Sequence, residues 1–190
     1  MRIISGTSGG MNLRVPKTLL RPTTDRTRSA VFSILGTRVR QARVADLFAG
    51  SGAYGLECLS RGAAHCLFVD SDKASVEIIA ANLQKARLTA AGEMLCTKVE
   101  SWWTRAHGPF DLIFADPPYR KSVEDRAWNQ EILHSPQLPG LLAPDGWLVL
   151  ESWSQAEEPP LPAPWHCHDE RVYGAARVRF FQTQAPADHE

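Results

Sequence analysis

Apolar positions along this chain come in two alternating patterns. Short near-continuous apolar runs at Val44–Ala49, Cys66–Asp70, Met94–Val99, Phe110–Asp116 and Trp147–Glu151 predict strands. Between them, Ala53–Arg61, Asp72–Leu88 and Ser101–Ala106 carry apolar residues at helical spacing. A helical region is predicted over Glu124–Leu142, broken by Pro136 and Pro139. Upstream, Pro22-Thr23-Thr24-Asp25 supplies helix-start chemistry for a helix carrying Ala30, Val31, Ile34 and Leu35, which Gly36 ends. Arg2–Ser5 and Asn12–Val15, separated by glycines, predict a small hairpin or arm. Pro159–Pro164 is a proline-rich loop, and Glu170–Tyr173 and Arg177–Thr183 are extended around Gly174. The polar tail from Ala185 is expected to fray.

Alternation of this kind predicts an α/β fold, a parallel sheet covered by helices on both faces. Strands buried on both faces read as continuous apolar runs, as Leu112-Ile113-Phe114-Ala115 does. The closing pair is antiparallel, because a short turn cannot make a parallel crossover.

Length and composition bound the rest. With 190 residues, 44% hydrophobic and 22% charged, the chain fits one globular domain of ~100–200 residues. No apolar run reaches the ~18 residues of a membrane span, and the start lacks a signal-peptide pattern. Cys58, Cys66, Cys96 and Cys167 form no C-x-x-C pair and read as reduced cysteines of a cytoplasmic protein. The six histidines form no ligand cluster, so no metal is expected, and His166-x-His168 reads as a strand pair. The zero net charge hides an asymmetry: residues 1–43 hold nine Lys/Arg against one acid, a net of +8. The remainder carries twelve basic against twenty acidic residues, a net of −8. A basic arm on an acidic body suits a polyanionic partner reached through phosphates; a merely solvated face is the alternative.

The first chemical motif is Asp46-Leu47-Phe48-Ala49-Gly50-Ser51-Gly52-Ala53-Tyr54-Gly55, a glycine turn between a strand and a helix. Gly50, Gly52 and Gly55 match G-x-G-x-x-G, which admits a tight turn and close ligand approach. Asp70 ends the next strand, where a carboxylate accepts hydrogen bonds from ribose hydroxyls. A nicotinamide dinucleotide would place a pyrophosphate at the helix N-terminus. Asp46 argues against an anion there and suits a cationic donor instead, such as S-adenosylmethionine; a capping role for Asp46 is the alternative.

The second motif is Asp116-Pro117-Pro118-Tyr119, at the carboxyl end of the fourth sheet strand. Ligands of open α/β sheets bind at those strand ends, so this tetrapeptide and the glycine turn share a crevice. The prolines remove two N–H donors and leave stiff carbonyl acceptors beside a carboxylate and a ring. That set suits a planar base bearing an amino group, with Tyr119 stacked on it. A proline turn that simply ends a strand is the bland alternative. Trp102 and Trp103 read as core rather than as the rim of an adenine pocket.

Taken together, Asp46-x-Phe48-x-Gly50-x-Gly52, Asp70 and Asp116-Pro117-Pro118-Tyr119 resemble the class I S-adenosylmethionine-dependent methyltransferases acting on amino nitrogen. With Leu20-Arg21-Pro22-Thr23-Thr24-Asp25-Arg26-x-Arg28, the chain looks like a narrower family, the RsmD-type 16S ribosomal RNA guanine-N2 methyltransferases. The resemblance implies a Rossmann-like, seven-stranded, mostly parallel sheet with an antiparallel last strand, preceded by a short hairpin arm and helix. It implies an arm and helix over 1–40, a methyltransferase domain over 41–185 and a tail over 186–190. The cofactor is then S-adenosylmethionine, held by Asp46, Phe48, Gly50, Gly52, Asp70 and Thr24. Asp116, Pro117 and Tyr119 are the catalytic set, and Arg14, Lys17, Arg21 and Pro118 face the RNA. The partner is 16S rRNA in the small subunit, met by a cytoplasmic monomer. The arm departs from the family's basic pattern at Thr7–Asn12, while Arg14, Lys17 and Arg21 remain. Two other readings stay open: an adenine-N6 DNA methyltransferase, which shares the tetrapeptide, and a non-catalytic RNA protein that binds the same cofactor.

Overall fold

The computed structural model describes residues 1–16, 24–119, 124–156 and 160–183. Residues 17–23, with Lys17 and Arg21 among them, and the tail predicted to fray lie outside the described residues. Helix α1 (Asp25–Leu35) starts where Thr24 caps it, its Oγ1 accepting from the Thr27 amide at 3.1 Å. The sheet is then built from β1 (Arg43–Leu47), β2 (His65–Asp70), β3 (Gly92–Cys96), β4 (Phe110–Ala115), β5 (Leu142–Trp153), β6 (Trp165–Tyr173) and β7 (Ala176–Thr183). Helices α2 (Ala53–Ser60), α3 (Lys73–Ala86), α4 (Val99–Trp103) and α5 (Trp128–Leu133) connect the first five strands.

Seven strands run in the order β3-β2-β1-β4-β5-β7-β6. The first five are parallel, and β7 is antiparallel to both neighbours. Strand order reverses between β1 and β4, which opens a crevice at their carboxyl ends. Strand alternation assigns every second side chain to one face. Val44, Phe68, Phe114 and Val149 pack under α1, α2 and α3 with Phe32, Leu56, Ile79 and Leu83. Leu47, Val69, Ile113 and Leu148 pack on the opposite face with Val99, Trp102, Trp103 and Ile132. Both tryptophans are therefore core. No helix among the described residues is long and apolar enough to cross a membrane.

Several predicted boundaries shift, each for a physical reason. The strand predicted to Ala49 stops at Leu47, because Phe48 turns to a φ of 58° and leaves extended backbone. Val99 was expected to end a strand; it opens α4 instead, since Val99, Trp102 and Trp103 have the i, i+3, i+4 spacing of a buried helix face. The predicted Ser101–Ala106 helix accordingly begins earlier. The helical region over Glu124–Leu142 contracts to α5 and a 3-10 turn at Leu138–Leu141. Pro136 and Pro139 leave no room for a longer helix. Leu142 already belongs to β5, and β6 begins at Trp165 rather than Glu170, with His166 and His168 inside it.

The N-terminal hairpin lies against the body. The Ile3 amide donates to Met11 O at 2.9 Å and the Leu13 amide to Met1 O at 3.1 Å. Ile3 is fully buried beside Val31 and Leu35. Glu57 of α2 accepts from the Ile4 and Ser5 amides at 2.6 and 3.0 Å. Gly6 is required where hairpin meets helix: its φ is 85°, and a Cβ there would sit 1.9 Å from Ser60 O.

Candidate active site

The register of the parallel strands aligns the site. Leu47 pairs with Val69 on one side and Ala115 on the other, and Ala115 pairs with Leu150. One step further along each strand stand Asp70, Phe48, Asp116 and Glu151, a row across the carboxyl edge of the sheet. Alternation sends Asp70, Asp116 and Glu151 toward the face covered by α1 and α2, as it does Asp46. Four carboxylates thus converge on the side where the glycine turn lies.

Gly50 and Gly52 have φ values of 55° and 75°. Gly52 is the left-handed residue that opens α2, and a Cβ there would crowd the side chains of Ile79 and Phe68 at 3.2 Å. Asp70 holds the turn in place: one carboxylate oxygen accepts from the Gly50 amide at 2.8 Å and the other from the Asp72 amide at 2.8 Å. Its side chain is half-buried. Each oxygen has a second lone pair, so the carboxylate that shapes the turn can also receive a ligand's hydroxyls.

Asp46 lies within β1, one step before Leu47. It is 3% exposed and lies beneath α2, with Oδ2 accepting from the Gly55 amide at 2.9 Å. Burial pushes its carboxyl up to about 7; the Gly55 bond and the Arg28 charge oppose that, and Asp70 adds to it. This contact is the one the capping alternative describes, with Asp46 satisfying an amide of the first turn of α2. Phe48 meets the Trp128 ring edge-on, 4.7 Å between centroids. Thr24 is committed to capping α1.

The tetrapeptide follows β4 directly. Asp116 and Tyr119 are half-buried, Pro117 is buried and Pro118 is exposed. Tyr119 donates its hydroxyl to Glu151 Oε1 at 2.5 Å. The other oxygen of Glu151 accepts from Tyr54 at 3.2 Å. Tyr54, in the first turn of α2, stacks on Phe114 with centroids 4.9 Å apart and an interplanar angle of 19°. Burial, then the charges of Glu151 and Asp116, push the Tyr54 phenol well above its usual range. A shallow hollow beside the tetrapeptide is floored by Glu151 and Ser152 and walled by Pro117, Pro118 and Trp153.

The predicted RNA face is mixed. Arg14 is exposed, while its backbone is held by Asn82. Arg28, counted among the nine basic residues, is fully buried, and its Nη2 donates to Arg2 O and Asp25 at 2.5 and 2.7 Å. Burial lowers its pKa, so this charge serves the fold rather than a partner. Among the described residues no group of three His, Cys, Asp or Glu side chains is placed to hold a metal.

Sequence reasoning missed Glu151, Tyr54 and Asn82. Glu151 carries the same signal as Asp70 and Asp116, an acid ending an apolar run, here Leu148-Val149-Leu150. Tyr54 carries no such signal, because its partner lies 97 residues away.

The family model described as conserved hypothetical protein 95 matches residues 1–182. Ribosomal RNA small subunit methyltransferase D of Escherichia coli is 33% identical, covering 100% of this chain and 93% of that protein. The Haemophilus influenzae protein of the same name is 28% identical, covering 96% and 93%. Among solved structures, Escherichia coli yhhF superposes with a TM-score of 0.82 at 33% identity, covering 98% of this chain and 99% of that one. With a family model spanning the described fold and a relative matched over the whole chain, the protein belongs to the RsmD family and has the class I methyltransferase fold.

Proposed function

We propose that the protein transfers a methyl group from S-adenosylmethionine to the exocyclic N2 of a guanine in the 16S rRNA of the small ribosomal subunit. One observation carries the reading: Asp70 with its glycine turn and the Asp116–Tyr119 tetrapeptide flank Phe48 on the same sheet edge. A donor over the turn and a base on the tetrapeptide would then be neighbours. The names of the Escherichia coli and Haemophilus influenzae relatives supply the substrate class.

The residues fit this donor. Gly50 and Gly52 give it a close backbone approach, and Asp70 suits ribose hydroxyls. Asp70 and Asp116, half-buried at neighbouring strand ends, favour its cationic ammonium and sulfonium over an anionic pyrophosphate. When bound, S-adenosylmethionine would supply an electrophilic methyl: the nitrogen lone pair forms the new N–C bond, the sulfur keeps the C–S electron pair and departs as a neutral thioether, and the nitrogen's surplus proton is lost through its hydrogen bond to Asp116 to solvent. Asp116 and the Pro117 carbonyl accept the two amino hydrogens and aim the nitrogen lone pair at that methyl. Tyr119 stacks on the base and fixes its plane. Alignment alone contributes up to ~7–11 kcal/mol. Direct transfer requires no cysteine nucleophile, consistent with Cys58 and Cys66, whose thiol pKa values burial pushes well up.

The test is transfer of labelled methyl to assembled small subunits, free rRNA and naked DNA, with nucleoside analysis of the product. N2-methylguanosine is expected from ribosomal substrate. N6-methyladenosine would keep the donor and the tetrapeptide and overturn the base. Donor binding without transfer to any substrate would favour the non-catalytic reading.

A further inference from the structure

We infer that Glu151 is a positioning residue for the target base, acting through Tyr119, and that Tyr54 ties it to the donor side of the crevice. The inference rests on the reading above, in which Tyr119 stacks on the base.

The argument starts from what holds Tyr119. Two prolines precede it, and residues 120–123 after it lie outside the described set. Its hydroxyl is anchored by Glu151 Oε1 at 2.5 Å, a contact at the far end of the ring that restrains its tilt. Glu151 itself is well placed to anchor. It is 3% exposed, sits within β5, and pairs in register with Val178 of β7, so its backbone is held by the sheet. Its second oxygen is fixed by Tyr54, whose ring is stacked on Phe114 of β4. The chain of contacts Phe114–Tyr54–Glu151–Tyr119 thus runs from the core to the predicted base platform.

The same chain joins the two halves of the crevice. Tyr54 lies two residues past Gly52 in the helix that the glycine turn opens. Tyr119 is the last residue of the tetrapeptide. One buried carboxylate between their hydroxyls sets the distance between the turn that would hold the donor and the ring that would hold the acceptor. A hydrogen bond to a charged group is among the stronger polar contacts, which makes this a stiff connection. Glu151 also floors the hollow beside Pro117 and Pro118, next to where a base stacked on Tyr119 would lie.

The experiment is a double-mutant cycle on Glu151→Gln and Tyr119→Phe, with steady-state and single-turnover kinetics on small subunits. The amide offers one acceptor oxygen where the carboxylate offers two, so one phenol must lose its acceptor. Each single variant is expected to lower kcat/KM by about tenfold, mostly through KM for the ribosomal substrate. Donor affinity should stay within about twofold. The double variant should be no slower than the slower single. Losses that multiply, or a Glu151→Gln enzyme with wild-type kinetics, would overturn the inference. The kinetics are read on whichever nucleoside the wild type methylates, so a wrong base overturns the proposed function and still measures the coupling. Thermal unfolding of the same four proteins gives a coupling independent of substrate, and its absence would likewise defeat the Glu151–Tyr119 link.

Discussion

Asn82 and Arg14 exchange two hydrogen bonds: the Arg14 amide donates to Asn82 Oδ1 at 2.8 Å, and Asn82 Nδ2 donates to the Arg14 carbonyl at 3.0 Å. The same Nδ2 donates to the Ser51 carbonyl of the glycine turn at 3.0 Å. Asn82 is fully buried in α3. One side chain therefore holds both the basic N-terminal segment and the turn proposed to carry the donor. A buried asparagine satisfied at both ends is costly to remove, about 1–3 kcal/mol when its partners are stranded. Asn82→Ala is expected to lose that much stability in urea titration. It should also expose residues near Arg14 to limited proteolysis and weaken donor binding. Unchanged proteolysis would mean that the hairpin is held without Asn82, through contacts such as those of Glu57 and Ser60.

Asp46 predicts a pH dependence with a definite sign. Its carboxyl is raised from an ordinary 3.8 to about 7 by burial. The folded state then holds a proton that the unfolded state releases between about pH 4 and 7. Stability from this group is present below pH 4 and is lost as pH rises to about 7, after which it is flat. The full loss is on the order of 4 kcal/mol, from about three pKa units at 1.36 kcal/mol each. Asp46→Asn keeps an oxygen for the Gly55 amide and cannot ionise. Urea unfolding at pH 5 and pH 8 should show the variant nearly pH-independent in this window and more stable than wild type at pH 8. A wild-type protein whose stability rises over the same window would contradict the assignment.

Asp70 is expected to serve turn and donor together. Asp70→Ala removes the acceptor of the Gly50 and Asp72 amides as well as the proposed ribose contact. Donor affinity should fall by at least ~1 kcal/mol, the scale of one hydrogen bond to a charged group. Calorimetry with S-adenosylmethionine and with NAD is the measurement. Unchanged affinity, or a preference for NAD, would defeat the proposed cofactor.

These side chains also show how far the sequence could be read. Asp70 and Asp116 were legible because each ends an apolar strand beside a glycine or proline signal. Glu151 ends its apolar run the same way, but no glycine or proline follows to mark the segment. Its role appears only once β5 lies beside β4 and α2 reaches over both. Asp46 was ambiguous, since a carboxylate before a glycine turn can face a ligand or cap a helix. The fold shows it buried under α2 with its oxygen on the Gly55 amide, a contact that no local sequence signal gives. Arg28 counted as surface charge in the sequence and is buried in the fold, because a charge tally carries no information about depth.

Charge predicts how RNA is held. Arg14 is exposed on the hairpin side, and Lys17 and Arg21 follow in the same basic segment. Replacing all three by Ala should weaken RNA binding and flatten its salt dependence by about one unit of log–log slope per lost phosphate contact. Donor binding should hardly change. A salt slope equal to wild type would make the segment a folding element and move the RNA contact elsewhere.

Asp116 and Tyr119 should separate chemistry from base binding. Asp116 follows β4 without a break, so its backbone is placed by the sheet. Asp116→Ala removes the acceptor proposed to aim the nitrogen lone pair, while the glycine turn and Asp70 keep their own contacts. The methyl-transfer step should slow by about 10²-fold or more, since small misplacements of a reacting group cost that much. Donor affinity should stay nearly intact. Tyr119→Ala should cost ~1–3 kcal/mol through lost stacking. Tyr119→Phe, which keeps the ring and loses only the tie to Glu151, should be milder. Single-turnover transfer to small subunits at saturating donor measures all three. An Asp116→Ala enzyme with wild-type turnover would remove the tetrapeptide from the mechanism. Equal losses in Tyr119→Ala and Tyr119→Phe would assign the role of Tyr119 to its hydroxyl rather than to its ring.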